Sequence, residues 1–203
     1  MSFTPSTIAA LIIAASFAAG LNVYATVLTL GLLSRAHWVV LPSGLEILGQ
    51  WWVIAVSGAL FAAEFVADKI PGLDLIWNAL HTFVRIPIAG LLAYGASSHL
   101  PPQMQLLATL AGAGIAFVAH GSKTAARAVI TPSPEPVSNI VFSTTEDAAA
   151  VGISWLATRH PWVAASIAIV LTLVAIFAIR WLVKGIRRLL NRLSGRFGVA
   201  AAN

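Results

Sequence analysis

Cysteine is absent from the 203-residue sequence, and charged residues are scarce. Without a thiol the chain forms no disulfide scaffold, thiolate zinc site or iron–sulfur cluster, and it has no cysteine nucleophile. Only 9% of the residues are charged and 59% are hydrophobic, whereas an ordinary globular chain is about 25% charged and about 45–50% apolar. This composition excludes a water-soluble domain and indicates a protein built for a lipid bilayer.

The net charge of +5 comes from the C-terminal end of the chain. Residues 1–179 hold six basic residues against seven acidic ones, and no basic patch is interleaved with aromatic residues as a nucleic-acid-binding face requires. We expect a transmembrane domain over residues 1–183 and a basic cytoplasmic juxtamembrane tail over 184–203, which binds anionic lipids and no nucleic acid. The six basic residues at this end are Arg180, Lys184, Arg187, Arg188, Arg192 and Arg196.

The apolar residues fall into six stretches, which predicts an all-α fold, a polytopic transmembrane helical bundle of about six membrane helices. The first stretch, 7–33, would be about 40 Å long as one helix, more than the roughly 30 Å hydrocarbon core requires. Gly20-Leu21-Asn22 is the natural place for a break, so a broken or re-entrant first helix is predicted. The later helices are predicted over 46–70, 75–98, 102–130, from the 143–146 motif to 158, and from 161 into the tail.

Turn and cap signals set these boundaries. Asp74, which follows a Pro-Gly-Leu turn, is suited to cap the third helix, and Pro87 should kink that helix. Three prolines within 132–136 predict that residues 131–139 form no helix. Ser143 and Glu146 have the spacing of a capping box, which predicts that a short fifth helix of about 15 residues begins there.

Orientation follows from the basic residues of the short loops, because positively charged loops stay in the cytoplasm. With six crossings and the tail inside, Lys69, Lys123 and Arg127 are also cytoplasmic, whereas Arg35 and Arg159 are outside. We therefore expect a multi-pass protein of the cell inner (plasma) membrane with a cytoplasmic C-terminus.

Several charged side chains lie within the predicted helices, where each costs on the order of 2.5–3.5 kcal/mol at the bilayer centre and usually has a partner. Arg85 and His120 lie roughly 15 Å from the cytoplasmic ends of their helices, too deep for the rim. One polar site in the cytoplasmic half is therefore predicted. Its candidate ligand-binding residues are Glu64, Asp68, His81, Arg85, His120, Lys123, Arg127, Asn139 and Asp147.

Charge compensation between helices is open to three interpretations. The pairs only hold the bundle together, or they line a polar cavity that binds an ion or a small anion, or they form an interface to a second copy or another subunit. The expected pairs are Glu64 or Asp68 with Arg85 or Lys123, and Glu135, Glu146 or Asp147 with Arg127 or the tail.

The sequence lacks the motifs of the common hydrolytic enzymes. The sequence has neither a His-Glu-x-x-His zinc motif nor a Gly-x-Ser-x-Gly elbow. The one enzymatic alternative is a divalent-metal-dependent enzyme that acts on a lipid head group, since paired carboxylates hold magnesium. No catalytic residue is assigned and no cofactor is expected. The candidate metal ligands are Asp68, Asp74, Glu146 and Asp147.

Two segments, 63–69 and 116–123, resemble each other. Each ends an apolar helix in polar residues and a lysine ahead of a proline turn. This similarity predicts a related pair of helix hairpins. Internal repeats with interrupted helices are common among transporters, whose sites lie where the repeats meet.

Several motifs, in the same order, resemble a bacterial and plant family of integral membrane proteins described as domain of unknown function 4126. The resemblance covers roughly residues 15–180, adds weight to the polar motifs as a set, and implies no activity or substrate. The motifs are Gly20-Leu21-Asn22-Val23-Tyr24-Ala25-Thr26, Ala67-Asp68-Lys69-Ile70-Pro71-Gly72-Leu73-Asp74, His81-Thr82-Phe83-Val84-Arg85, His120-Gly121-Ser122-Lys123 and Ser133-Pro134-Glu135-Pro136-Val137-Ser138-Asn139, with Glu146-Asp147.

The residues themselves favour passage or binding of a small solute or ion. The alternatives are the magnesium enzyme and an accessory or assembly subunit of a membrane complex. In the favoured interpretation His81, Arg85, Lys123 and Arg127 form a cationic lining, and Glu64, Asp68 and Asp147 supply the counter-charges.

Overall fold

A computed structural model describes the backbone of residues 4–70, 72–130 and 136–200, and the side chains within these ranges except those of residues 74–75, 128–130, 136, 139, 189–190 and 192–200. In this part of the chain every regular element is a helix, as predicted, and there is no strand. The elements are α1 (Pro5–Leu21), α2 (Val23–Arg35), a 3₁₀ helix (Ser43–Gly49), α3 (Trp51–Ala67), α4 (Leu73–Ala96), α5 (Pro102–Ile130), α6 (Pro136–Arg159) and α7 (Pro161–Ala200).

Helix α1 lies at the centre of the bundle because it is apolar on all sides. Most of its residues are buried, and it packs against α4, α5, α6 and α7. Gly20 allows α1 to approach α5 closely, since a Cβ atom there would stand 2.7 Å from the Ala116 carbonyl oxygen. Small residues at a contact let helix backbones approach in this way.

The predicted break in the first helix is found at Asn22, which has an extended backbone and caps α2. α1 runs in the same direction as α5, since Ser16 lies beside Gly112 and the Leu21 carbonyl beside Lys123. α2 runs back, because its far end packs on the 3₁₀ helix, whose own start touches Gly95 at the end of α4. The two helices therefore form a hairpin with Asn22 at its tip, called here the α1–α2 hairpin.

Three helices are long and apolar enough to cross a membrane, over Ile76–Ala96, Pro102–Arg127 and Pro161–Arg188. The 3₁₀ helix and α3 make a fourth such segment if they are taken as one span, bent by 67°. α1 and α2 are apolar but shorter. The protein is thus a helical membrane protein, and the number of about six crossing helices stays a prediction.

The second and third helices differ from the prediction at their starts. Extended backbone at Gln50 separates the 3₁₀ helix from α3, so a continuous helix from Glu46 is wrong. α4 begins at Leu73, with Gly72 as its cap at a φ of 87°. Gly72 can take this position because glycine adopts positive φ without a steric cost. Asp74 is the second residue of the helix, so the prediction that it caps the helix is wrong.

The fifth predicted helix begins earlier than expected, at Pro136, and has 24 residues instead of about 15. Proline suits the first position of a helix because its φ is preset and the missing N–H would have no partner there. The predicted start at 143–146 is therefore wrong, and Ser143 and Glu146 lie inside α6. Pro87 lies within α4, as expected, and α7 continues from Pro161 into the basic tail.

The two predicted helix hairpins, α3–α4 and α5–α6, are both splayed. Within each pair the two helices make few contacts with each other, whereas α1 packs on α4 and α5, and α2 on α3 and α6. The α1–α2 hairpin is thus inserted against both pairs, and its tip lies near the end of α3, since Lys123 contacts both Leu21 and Asp68. A relation of the two pairs by an axis stays a prediction.

Candidate functional site

Seven buried charged side chains from four helical segments meet at the tip of the α1–α2 hairpin. We call this group the charge cluster. All but one have side chains joined by ion pairs within 4.0 Å, and none is more than 7% exposed. The members are Glu64, Asp68, Arg85, Lys123, Arg127, Glu146 and Asp147.

Asn22 connects the hairpin tip to the cluster. Its Oδ1 accepts a hydrogen bond from the backbone N–H of Ala25 at 2.9 Å, which caps α2. The amide oxygen is thereby committed to the helix, and the Nδ2 group donates to Asp147 Oδ1 at 2.8 Å. A buried carboxylate therefore lies next to the positive end of the α2 dipole, where negative charge is favoured.

Lys123 contacts the end of α1, on the other side of the break at Asn22. Its ammonium group donates to the Leu21 carbonyl at 3.1 Å and to Asp68 Oδ2 at 2.9 Å, and it lies 3.4 Å from Glu146 Oε2 and 3.6 Å from Glu64 Oε1. The Leu21 carbonyl is at the C-terminal end of α1, the negative end of its dipole. Opposite charges thus stand at the two helix ends that meet at Asn22.

Arg127 joins the end of α3 to α6. Its guanidinium donates to both the backbone oxygen and Oδ2 of Asp68 at 3.0 Å, and to Glu146 Oε2 at 2.9 Å. Burial by itself raises the pKa of the Asp68 carboxyl, but the positive charges of Lys123 and Arg127 outweigh burial and hold this pKa below its usual value. Asp68 therefore stays ionised.

Arg85 forms the deep end of the cluster within α4. Its guanidinium pairs with Glu64 and donates to Asn78 Oδ1 at 3.0 Å and to His120 Nδ1 at 2.9 Å. Arginine has only donors, so His120 Nδ1 is the acceptor. His120 is then neutral, and its Nε2–H donates to the Thr82 hydroxyl at 2.8 Å.

His81 lies beside the cluster and bonds to none of its carboxylates. Its Nδ1 contacts the Trp77 carbonyl at 2.7 Å, so this nitrogen carries a hydrogen. Its Nε2 is 3.0 Å from the Tyr24 hydroxyl, which donates to it in the neutral tautomer. His81 also stacks on Trp77 at 4.4 Å between ring centroids. It thus links α2 to α4 beside the cluster.

The buried charges do not balance among the described residues, since four acidic side chains face three basic ones. Three carboxylate oxygens in this part of the chain also lack a hydrogen-bond donor. A buried charge without a partner is costly, and the group tends to take up a proton instead. The three oxygens are Glu64 Oε2, Glu146 Oε1 and Asp147 Oδ2.

Among the described residues, Asp147 is the carboxylate of the cluster that has no direct cationic partner. No described basic side chain has a nitrogen within 4.0 Å of it, and Asn22 is its hydrogen-bond partner. Lys69 attracts it from farther away, but the Lys69 ammonium donates to the Phe65 carbonyl at 3.0 Å. The expected pairing of Asp147 with Arg127 is therefore wrong, and the side chains of Arg192 and Arg196 in the tail lie outside the described residues.

The other expected ion pairs are largely found. Glu64 pairs with Arg85 and Lys123, Asp68 pairs with Lys123, and Glu146 pairs with Arg127. Glu135 lies outside the described residues, as do the side chains of Asn139 and Asp74. Within the described ranges, no three acidic or histidine side chains are placed to share a metal ion, so the magnesium site gains no support from Asp68, Glu146 and Asp147.

The model of the family described as "Domain of unknown function (DUF4126)" matches residues 9–181. The chain belongs to this family. All seven residues of the charge cluster lie within the matched DUF4126 region. No curated protein and no solved structure matches the chain.

The residues predicted for the site did not include three that the structure places there, namely Asn22, Tyr24 and Asn78. Asn22 and Tyr24 stand out as polar groups in the first apolar stretch, next to the predicted break. Asn78 precedes His81 by three residues and Arg85 by seven, a spacing that puts all three on one helix face. That spacing was the available signal for Asn78.

Proposed function

We propose that this DUF4126 protein is an ion transporter that passes a proton through the charge cluster. The observation that carries the proposal is that, among the described side chains, buried carboxylates exceed buried cations by one and Asp147 has no direct cationic partner. A carboxyl group in this position gains or loses a proton at low cost, because burial opposes its charge and the nearby cations favour it. Asp147 is the proposed proton-carrying group.

The hairpin tip supports a transport function on separate grounds. Broken helices at membrane depth occur where backbone lines a cavity or a site. In many transporters the ends of such helices point at the transported ion or solute. Here the break at Asn22 exposes one helix end to Lys123 and the other to Asp147, so motion of the hairpin would change both contacts together.

A proton suits this site better than a divalent metal does. Magnesium and calcium require several oxygen ligands around one point, and such a group is not found in the described part of the chain. A proton needs one carboxylate oxygen, and Asp147 Oδ2 lacks a donor. The cation passed is therefore proposed to be H⁺.

The proposed orientation follows the basic residues. The protein lies in the cell inner (plasma) membrane with the tail and the ends of α3 and α5 towards the cytoplasm, where the tail contacts anionic lipids. The α1–α2 hairpin then enters and leaves from the outer side, and its tip reaches the cluster in the cytoplasmic half.

Proton flux into vesicles tests the proposal. Potassium and valinomycin impose a membrane potential on liposomes that contain the purified protein, and a trapped dye reports the internal pH. We expect the interior of these liposomes to acidify faster than that of protein-free vesicles. Asp147→Asn removes the titrating oxygen but keeps a group that accepts from Asn22, so the flux should fall to the level of protein-free vesicles. The dye signal measures both results.

Glu46→Gln is the matched control, because Glu46 is an exposed carboxyl on the 3₁₀ helix. It should leave the flux unchanged. Equal fluxes in Asp147→Asn and in the unaltered protein would contradict the assignment of Asp147. No flux above protein-free vesicles from correctly folded protein would contradict proton passage itself.

A further inference from the structure

A lateral groove opens next to the charge cluster, between α5 and α6, where these two helices diverge. α1 and α7 complete its walls, and its volume is about 340 Å³. Phe17, Phe142 and Leu171 are among its apolar lining residues, and Ala178 lies at one end. Two members of the charge cluster, Lys123 and Glu146, also line it. The groove therefore joins an apolar space to a charged one.

The charged part of the groove favours a hydrogen-bond donor with a positive charge. Glu146 uses Oε2 for Arg127 and Lys123, but its Oε1 is buried and has no donor in the described structure. The cluster around it has one more acidic than basic side chain. An anionic ligand would add to that excess, whereas a cation with N–H groups would reduce it and satisfy the carboxylate.

The apolar part of the groove sets the rest of the ligand. Binding sites for small molecules are apolar clefts of roughly 300–1,000 Å³ with a few polar groups that fix orientation. The groove falls at the small end of this range, which suits one or two aromatic rings or a short alkyl chain. Its lining of Phe17, Phe142 and Leu171 provides the matching surface.

We propose that the lateral groove binds a lipophilic primary amine, with its ammonium group beside Glu146 and its apolar body along α7. The inference goes beyond the proposed function, because the bound amine would lie beside the cluster through which the proton is proposed to pass. Binding is measured without any transport, so the two proposals can fail separately.

Equilibrium dialysis of the protein in nanodiscs tests the proposal, with protein-free nanodiscs as the background. The probes are 1-naphthylmethylamine and, as the uncharged match, 1-naphthylmethanol. We expect saturable binding of the amine, weakened about tenfold or more by Glu146→Gln, a loss of about 1.4 kcal/mol. The alcohol should be insensitive to Glu146→Gln. Ala178→Trp fills the exposed end of the groove and should weaken binding of both probes.

Glu46→Gln and Ala55→Trp, both at exposed positions, should leave binding of both probes unchanged. If Glu146→Gln disturbs folding, Ala178→Trp still decides, since Ala178 is exposed and touches no ion pair. Amine binding that matches protein-free nanodiscs, or that ignores both groove variants, would overturn the inference. Absence of amine binding together with Asp147-dependent proton flux would reject the groove ligand and leave the proposed function standing.

Discussion

Replacement of Lys123 by methionine is expected to lower the free energy of unfolding by roughly 3–5 kcal/mol, the usual cost of removing one partner from a buried ion pair. The Lys123 ammonium lies within 3.6 Å of three carboxylates and also caps the Leu21 carbonyl. Methionine keeps the length of the chain and removes the charge, so these acceptors lose their shared donor. Unfolding in detergent, followed by the helical circular dichroism signal, measures the change.

Lys184→Met is the matched control, because Lys184 is exposed on α7 in the basic tail. Exposed substitutions usually change stability by no more than about 0.5 kcal/mol. If Lys123→Met and Lys184→Met gave equal stabilities, Lys123 would not be holding the buried carboxylates. Asp68→Asn added to Lys123→Met should recover part of the loss, because it reduces the excess of buried acidic over basic side chains that Lys123→Met increases.

Stability and proton flux, measured on the same variants, distinguish two interpretations of the cluster. If the charges only hold the bundle together, any substitution in the cluster should lower stability and flux in parallel. If they carry a proton, Asp147→Asn should abolish flux with a much smaller loss of stability, since Asp147 has no ion-pair partner within 4.0 Å to leave behind.

Replacement of Gly112 by leucine is expected to destabilise the protein by roughly 3 kcal/mol or more, the upper part of the range for overpacking. A Cβ atom at Gly112 would stand 2.6 Å from the Ala93 Cβ and 2.8 Å from the Ser16 hydroxyl oxygen. Three helices, α1, α4 and α5, meet at this point, so no single side chain can move aside. Loss of folded protein after extraction in mild detergent, or a lowered unfolding midpoint, measures the effect.

Gly114→Leu, two residues away on the same helix, is the control. A Cβ atom at Gly114 would meet nothing within 4 Å, and leucine has the better helix propensity. Stability should therefore stay within roughly 0.5 kcal/mol of the unaltered protein. Equal effects of the two substitutions would contradict the close packing of α1 against α4 and α5.

The charge cluster was predictable because membrane depth restricts what a charge can do. Arg85 lies far from the polar ends of its helix, so it needs a partner in the protein. The structure pairs it with Glu64. The break at Asn22 was predictable for a similar reason, since the first apolar stretch is too long for one crossing and contains a Gly-Leu-Asn segment.

The features that escaped prediction depend on tertiary contacts. The Ser143–Glu146 spacing fits a capping box, but Glu146 is used by Arg127 and Lys123 instead, and the helix starts at Pro136. A proline can interrupt a helix or occupy its first position, and the local sequence does not show which of these roles a given proline takes. Similarly, only the reversal of α2 places Asn22 against Asp147, so no pattern in either segment indicates the pair.

An infrared pH titration of the membrane-embedded protein tests the central claim most directly, because a protonated carboxylic acid has a C=O stretching band that a carboxylate lacks. We predict one such band that grows as the pH is lowered over the range in which the protein stays folded, is absent in Asp147→Asn and is retained in Glu46→Gln. A spectrum in which every buried carboxyl stays ionised across that range, or a band that persists in Asp147→Asn, would contradict the account.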